Sequence, residues 1–129
     1  MYKYLLAVLG FTQIILSLIE IISPLRAFLM WKIWVSNRLF PLHGLALIFI
    51  GLPLTVYKGY LSSIIFCIGM FVVFTGPFIL VYPEKIRGIF DESGKSFKER
   101  EIKIMIFLDA FFRFSSGVIF LISCWKTFN

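Results

Sequence analysis

Four apolar stretches set the limits on what this chain can fold into: Tyr4 to Ser23, Leu39 to Tyr57, Tyr60 to Tyr82 and Ile102 to Trp125. A helix needs about 20 residues at ~1.5 Å rise to cross the hydrocarbon core of a bilayer, and each stretch has that length. They take up most of a 129-residue chain that is 60% hydrophobic and 16% charged. A water-soluble domain of this size could not hide so much apolar surface, because a small domain leaves a large share of its area in solvent. The composition also excludes a disordered tail and a secreted disulfide scaffold. The expectation is an all-α membrane protein with one membrane domain, 1–129. It has four transmembrane helices as two tandem helical hairpins, spans 4–23 with 39–57 and spans 60–82 with 102–125.

Prolines punctuate these runs. Pro24 and Pro83 close spans, since proline disfavours helical geometry in the residue before it. Pro53 and Pro77 lie inside apolar runs and are expected to kink their helices. The first run reads as a retained span and not a signal peptide. It exceeds the core of such a peptide, has no small-x-small site before Pro24, and contains Glu20.

Charge supplies the topology. Lys58-Gly59 forms a tight hairpin between the second and third spans. The longer connections, 24–38 and 83–103, lie on one side of the membrane and carry Arg26, Lys32, Arg38, Lys85, Arg87, Lys95, Lys98, Arg100 and Lys103. The opposite side holds Lys3, Lys58 and Lys126, while Arg113 falls within the fourth span. Basic residues collect on cytoplasmic flanks, so both long connections are expected in the cytoplasm, with the termini outside a plasma (inner) membrane. The net charge of +6 thus reads as topology, with the lipid bilayer and not nucleic acid as the partner.

The connection 24–38 opens with Ser23-Pro24, an N-cap pattern with proline at the first helical position. Leu25, Phe28, Leu29, Trp31, Trp34 and Val35 then form an apolar face with basic edges. This is expected to be an amphipathic interfacial helix, with Trp31 and Trp34 as anchors. The connection 83–103 starts similarly, but Asp91 to Ser96 reads as a solvated polar loop. Gly94-Lys95-Ser96 lacks the upstream glycine of a phosphate-binding loop. Cys67 and Cys124 have no partner spacing and read as buried apolar side chains.

An internal repeat, 1–59 and 60–129, is visible in the residue order. A shift of 59 aligns Gly10 with Gly69, Pro24 with Pro83 and Arg26 with Lys85. A shift of 66 aligns His43 with Asp109 and Gly51 with Gly117. Each unit is a span, a proline stop, an amphipathic basic segment and a second span.

Charge inside an apolar run is costly, by about 2.5–3.5 kcal/mol at the bilayer centre, and marks the places to look for function. Glu20, Asp109 and Arg113 lie within spans and His43 lies at the start of one. Asp109 and Arg113 share a helix face at i and i+4 and can pair. Gly10, Gln13, Ser17 and Glu20 form one stripe, and His43, Leu47, Gly51 and Thr55 another. Each stripe is expected to turn inward. The depths of Glu20, His43, Asp109 and Arg113 suit one polar cluster, serving either as a structural charge network or as a site for a proton, an ion or a charged substrate.

No nucleophile triad, zincin pattern, phosphate loop or metal cluster is present, so neither catalysis, a cofactor nor a metal is expected. The reading is a small multi-pass membrane protein, a non-catalytic accessory or interaction component. Its partner would be a larger membrane protein or further copies of the chain. The alternative is a small oligomeric transporter or channel that uses Glu20, Asp109 and Arg113.

Overall fold

A computed structural model describes residues 2–128. Six helices follow one another: α1 (Tyr2–Ile22), α2 (Pro24–Ser36), α3 (Phe40–Thr55), α4 (Ser62–Val81), α5 (Pro83–Ser96) and α6 (Glu99–Phe128). Every described element is helical. The helices α1, α4 and α6 are each long and apolar enough to cross a membrane. The 16-residue α3 falls short alone; it follows α2 at a bend of 99°. Large apolar side chains stand on outer surfaces throughout, including Phe71, Phe74, Phe111 and Phe112, as expected of helices solvated by lipid and not water.

Helix pairing departs from the tandem order. The extensive interfaces are α1 against α6 and α3 against α4, so the first long helix packs on the last. Close approach of backbones explains the choice. A Cβ built on Gly10 would lie 3.1 Å from the Gly117 carbonyl oxygen, and one on Gly117 would lie 2.8 Å from that of Gly10. Gly51 and Gly69 meet the same way, at 3.1 and 3.2 Å. Where lipid is as apolar as the side chains, small residues that let backbones touch decide which helices associate.

The two helix pairs join at one end. Leu6, Leu54, Tyr57, Ile65 and Phe120 form a buried cluster drawn from both. The turn between α3 and α4 is longer than a Lys58-Gly59 hairpin, because Tyr57 folds inward and Leu61 adopts a left-handed φ of 61°. Ser123 donates to the Tyr60 carbonyl at 2.6 Å, which leaves its oxygen to accept from the Tyr57 hydroxyl at 2.8 Å. Thr127 in turn accepts from the Tyr60 amide at 2.9 Å and donates to the Tyr57 oxygen at 2.7 Å. Each hydroxyl in this chain is used once as a donor.

At the other end α2 lies between the pairs and touches α1, α3, α5 and α6. Pro24 takes the first helical position as expected, but Ser23 makes no side-chain cap. The segment Asp91 to Ser96 is helical, not a loop: α5 continues to Ser96. Glu84 in its first turn and Lys95 in its last complement the helix dipole. Gly94 faces α2 so closely that a Cβ would stand 3.0 Å from Lys32 Nζ. The helix runs on through this glycine to Ser96. Cys67 also differs from expectation, lying exposed on α4, while Cys124 donates to the Lys3 carbonyl at 3.4 Å.

Arg87 locks this layer. Its Nε donates to the Val35 carbonyl at 2.7 Å, and a terminal nitrogen donates to that of Asn37 at 2.9 Å. A further contact joins it to Glu84. The last turn of α2 leaves carbonyls without helical partners, and a cation from α5 satisfies them. Charge-assisted bonds of this kind contribute about 1.5–3 kcal/mol each. Arg87→Ala is expected to free α2 from α5 while leaving the long helices paired. Faster hydrogen exchange confined to 24–38 and 83–96 is the readout; unchanged protection there refutes the assignment.

Candidate functional site

The site is built where α1 and α6 cross, under α2. The stripe Gly10, Gln13, Ser17 and Glu20 faces inward, with Ser17 0% and Glu20 1% exposed. One turn apart on α6, Asp109 and Arg113 face it. Arg113 Nε lies 2.7 Å from Asp109 Oδ2 and 3.0 Å from Glu20 Oε1. A terminal nitrogen of the same guanidinium donates to Gln13 Oε1 at 2.9 Å. Above it, the Trp31 ring centroid is 4.8 Å from the guanidinium carbon. A planar, delocalised cation suits this surrounding, since it can fork hydrogen bonds in its plane while an aromatic face covers it.

The bonds are unequally shared. The Nε–H points at Asp109, so it meets Glu20 as a charge contact; neither Glu20 oxygen receives a hydrogen bond. Two carboxylates therefore share one guanidinium. The Asp109 side chain is 45% exposed and that of Glu20 only 2%. The less satisfied group is the more deeply buried one.

Of the four ionisable residues singled out from the sequence, the structure brings Glu20, Asp109 and Arg113 together. His43 stands aside, its ring edge-on to Trp34 at 5.9 Å and stacked on Phe40 at 6.2 Å. Trp31 and Trp34 are half-buried against Arg113 and His43; the apolar side chains that α2 exposes are Leu29, Met30 and Ile33. Gln13 and Trp31 were not foreseen as partners of Arg113. The signal for Gln13 was present, because it lies on the Glu20 face two turns away.

Beside Glu20 is a cavity of about 240 Å³ in the elbow between α1 and α2. Glu20 is its one ionisable lining residue, and Trp31, Trp34, Met30 and aliphatic side chains make up the rest. Among the described residues, no group of three His, Cys, Asp or Glu side chains could hold a metal ion.

These features define a class: a chain helical throughout its described elements, with several helices apolar enough to span a membrane and a charge cluster between two of them whose Glu20 is buried. Comparison with known protein families, with curated proteins and with solved structures finds no match.

Proposed function

We propose that this chain is a small multi-pass integral membrane protein that acts as a non-catalytic accessory or interaction component of a larger membrane complex. In this reading α1, α4, α6 and the segment 39–57 that contains α3 cross the plasma membrane, with the termini outside and the α2 and α5 segments on the cytoplasmic side, where α2 lies in the interface. One observation carries the proposal. Arg87 fastens α5 to α2, and α5 then turns Glu84, Lys85, Asp91, Glu92 and Lys95 outward. A charged helix held in a fixed pose by two anchoring bonds presents a rigid polar surface, which costs less to dock than a mobile loop.

Co-purification in mild detergent tests it. Tagged protein is expected to bring down a stoichiometric membrane partner. Reversing the charges of Asp91, Glu92 and Lys95 together should release that partner with the fold intact. Recovery of the 15.0 kDa chain alone, or capture indifferent to those charges, defeats the reading.

A second reading is favoured by the unequal charge at Arg113: a small oligomeric transporter or channel working through Glu20, Asp109 and Arg113. It requires that Glu20→Gln with Asp109→Asn abolish an ion- or proton-coupled flux in reconstituted vesicles. Unchanged flux rejects it.

A further inference from the structure

We propose that the cavity in the elbow between α1 and α2 binds a substituted ammonium cation, with Glu20 as counter-ion and Trp31 and Trp34 as walls. The inference deepens the second reading by naming the ligand. It is tested by binding alone, so failure of transport leaves it standing.

The charge inventory comes first. Glu20 and Asp109 present two carboxyl groups to one guanidinium, so that with both ionised the cluster has room for one more positive charge. Arg113 is held by Asp109 and Gln13 whatever Glu20 does. Glu20 can therefore turn toward the cavity it lines without stranding the arginine. Its side chain is 2% exposed and its oxygens accept no hydrogen bond, so among the described residues the charge contact with Arg113 is its compensation, less than a buried carboxylate ordinarily has.

The repeat supplies the second argument. Under the shifts of 59 and 66, Gly10 on Gly117 corresponds to Gly69 on Gly51, and both pairs are in contact. Leu6 and Phe120 correspond to Ile65 and Leu54, and all four lie in one cluster. The counterparts of Glu20 and Arg113 are Ile79 and Leu47. Ile79 is buried in a cluster against which Leu47 packs. The same crossing is thus closed without charge in the other helix pair. The ionic cluster is surplus to the packing of the fold, and it adjoins the cavity.

The lining selects the ligand. Sodium, magnesium or calcium would need several oxygen donors, and Glu20 offers the only carboxylate. Aromatic faces with one carboxylate hold a weakly hydrated cation bearing apolar substituents. Such a group occurs on lipid headgroups and on free solutes, and both can reach an elbow where a bilayer-length helix meets α2.

The test uses tryptophan fluorescence of the full chain carrying Trp125→Phe, which leaves Trp31 and Trp34 as reporters. The protein is placed in phosphatidylglycerol nanodiscs and titrated with choline or with its neutral isostere 3,3-dimethylbutan-1-ol. A saturable response to choline is expected, with the isostere at least about tenfold weaker, because exchanging the cation for a neutral group removes ~2 kcal/mol or more at a desolvated aromatic site. Glu20→Gln should weaken choline at least about tenfold on the same ground, and Trp34→Leu should weaken it severalfold. Phosphatidylcholine discs separate the sources: a spectrum already shifted and unresponsive to choline assigns the ligand to the headgroup, whereas an unchanged titration assigns it to a solute. Equal binding of the isostere, undiminished binding by Glu20→Gln, or no saturable response in phosphatidylglycerol discs together with no shift in phosphatidylcholine discs overturns the proposal. Should Glu20→Gln fail to fold, the cation-over-isostere preference and Trp34→Leu decide.

Discussion

Arg113→Leu is expected to destabilise the protein by about 3–5 kcal/mol, enough to deplete the folded form in detergent. Removing one member of a buried ionic group leaves the others without compensation, and that penalty exceeds the net worth of the intact group. Here it falls on Glu20, 1% exposed, facing Asp109 with no cation between them. Arg113→Lys should lie between native and Leu, since a compact ammonium lacks the planar fork that spans Asp109 and Gln13 and stacks less well on Trp31. Glu20→Ile combined with Arg113→Leu should return stability to within about 1.5 kcal/mol of native, as volume-conserving apolar packing allows. That pair copies the Ile79 and Leu47 arrangement of the other helix pair. Thermal unfolding followed by helical circular dichroism is the measurement. A double variant as unstable as Arg113→Leu alone would show that the ions hold α1 to α6 by themselves.

Gly76→Leu should separate α3 from α4 and cost at least about 3 kcal/mol, the upper end of ordinary overpacking penalties, because backbone cannot yield as a side chain does. A Cβ on Gly76 would collide with the Gly44 carbonyl oxygen and with Ile48, and one on Gly44 with the Gly76 carbonyl. Gly88 is the internal control. A Cβ there meets nothing within 4 Å, so Gly88→Ala in α5 should be neutral or stabilising by up to about 1 kcal/mol through helix propensity alone. Size-exclusion profiles and unfolding curves of the two variants should diverge sharply. A monodisperse Gly76→Leu protein with native melting would contradict the packing.

The long helices were legible because a run of apolar residues near membrane length has few other uses, and Pro24 and Pro83 marked where two of them stop. The convergence of Glu20 with Asp109 and Arg113 was legible too, from shared helix faces and matched depths. The pairing of α1 with α6 was not. Apolar helices offer many equivalent faces, and glycine spacing marks a crossing point without naming the partner. The helix over Asp91 to Ser96 was missed for a different reason. Its polar residues look like a loop in isolation, but Phe90 stacks on Phe28 and Ser93 is buried, so the segment continues a helix already packed against α2. Arg87 read as one more basic residue on a flank, because its partners are backbone carbonyls, which carry no signature in side-chain order. His43 matched Asp109 in the repeat, yet its ring packs against Trp34 and Phe40.

The two sides of the charge cluster lie far apart in synthesis. Gln13 and Arg113 are 100 positions apart, and Gly10 finds its crossing partner at Gly117. A ribosome makes α1 first and α6 last. Glu20 is therefore made without Arg113 and waits while four further helices follow. A chain stopped before residue 113 carries Glu20 without its cation and Gly10 without the glycine it crosses.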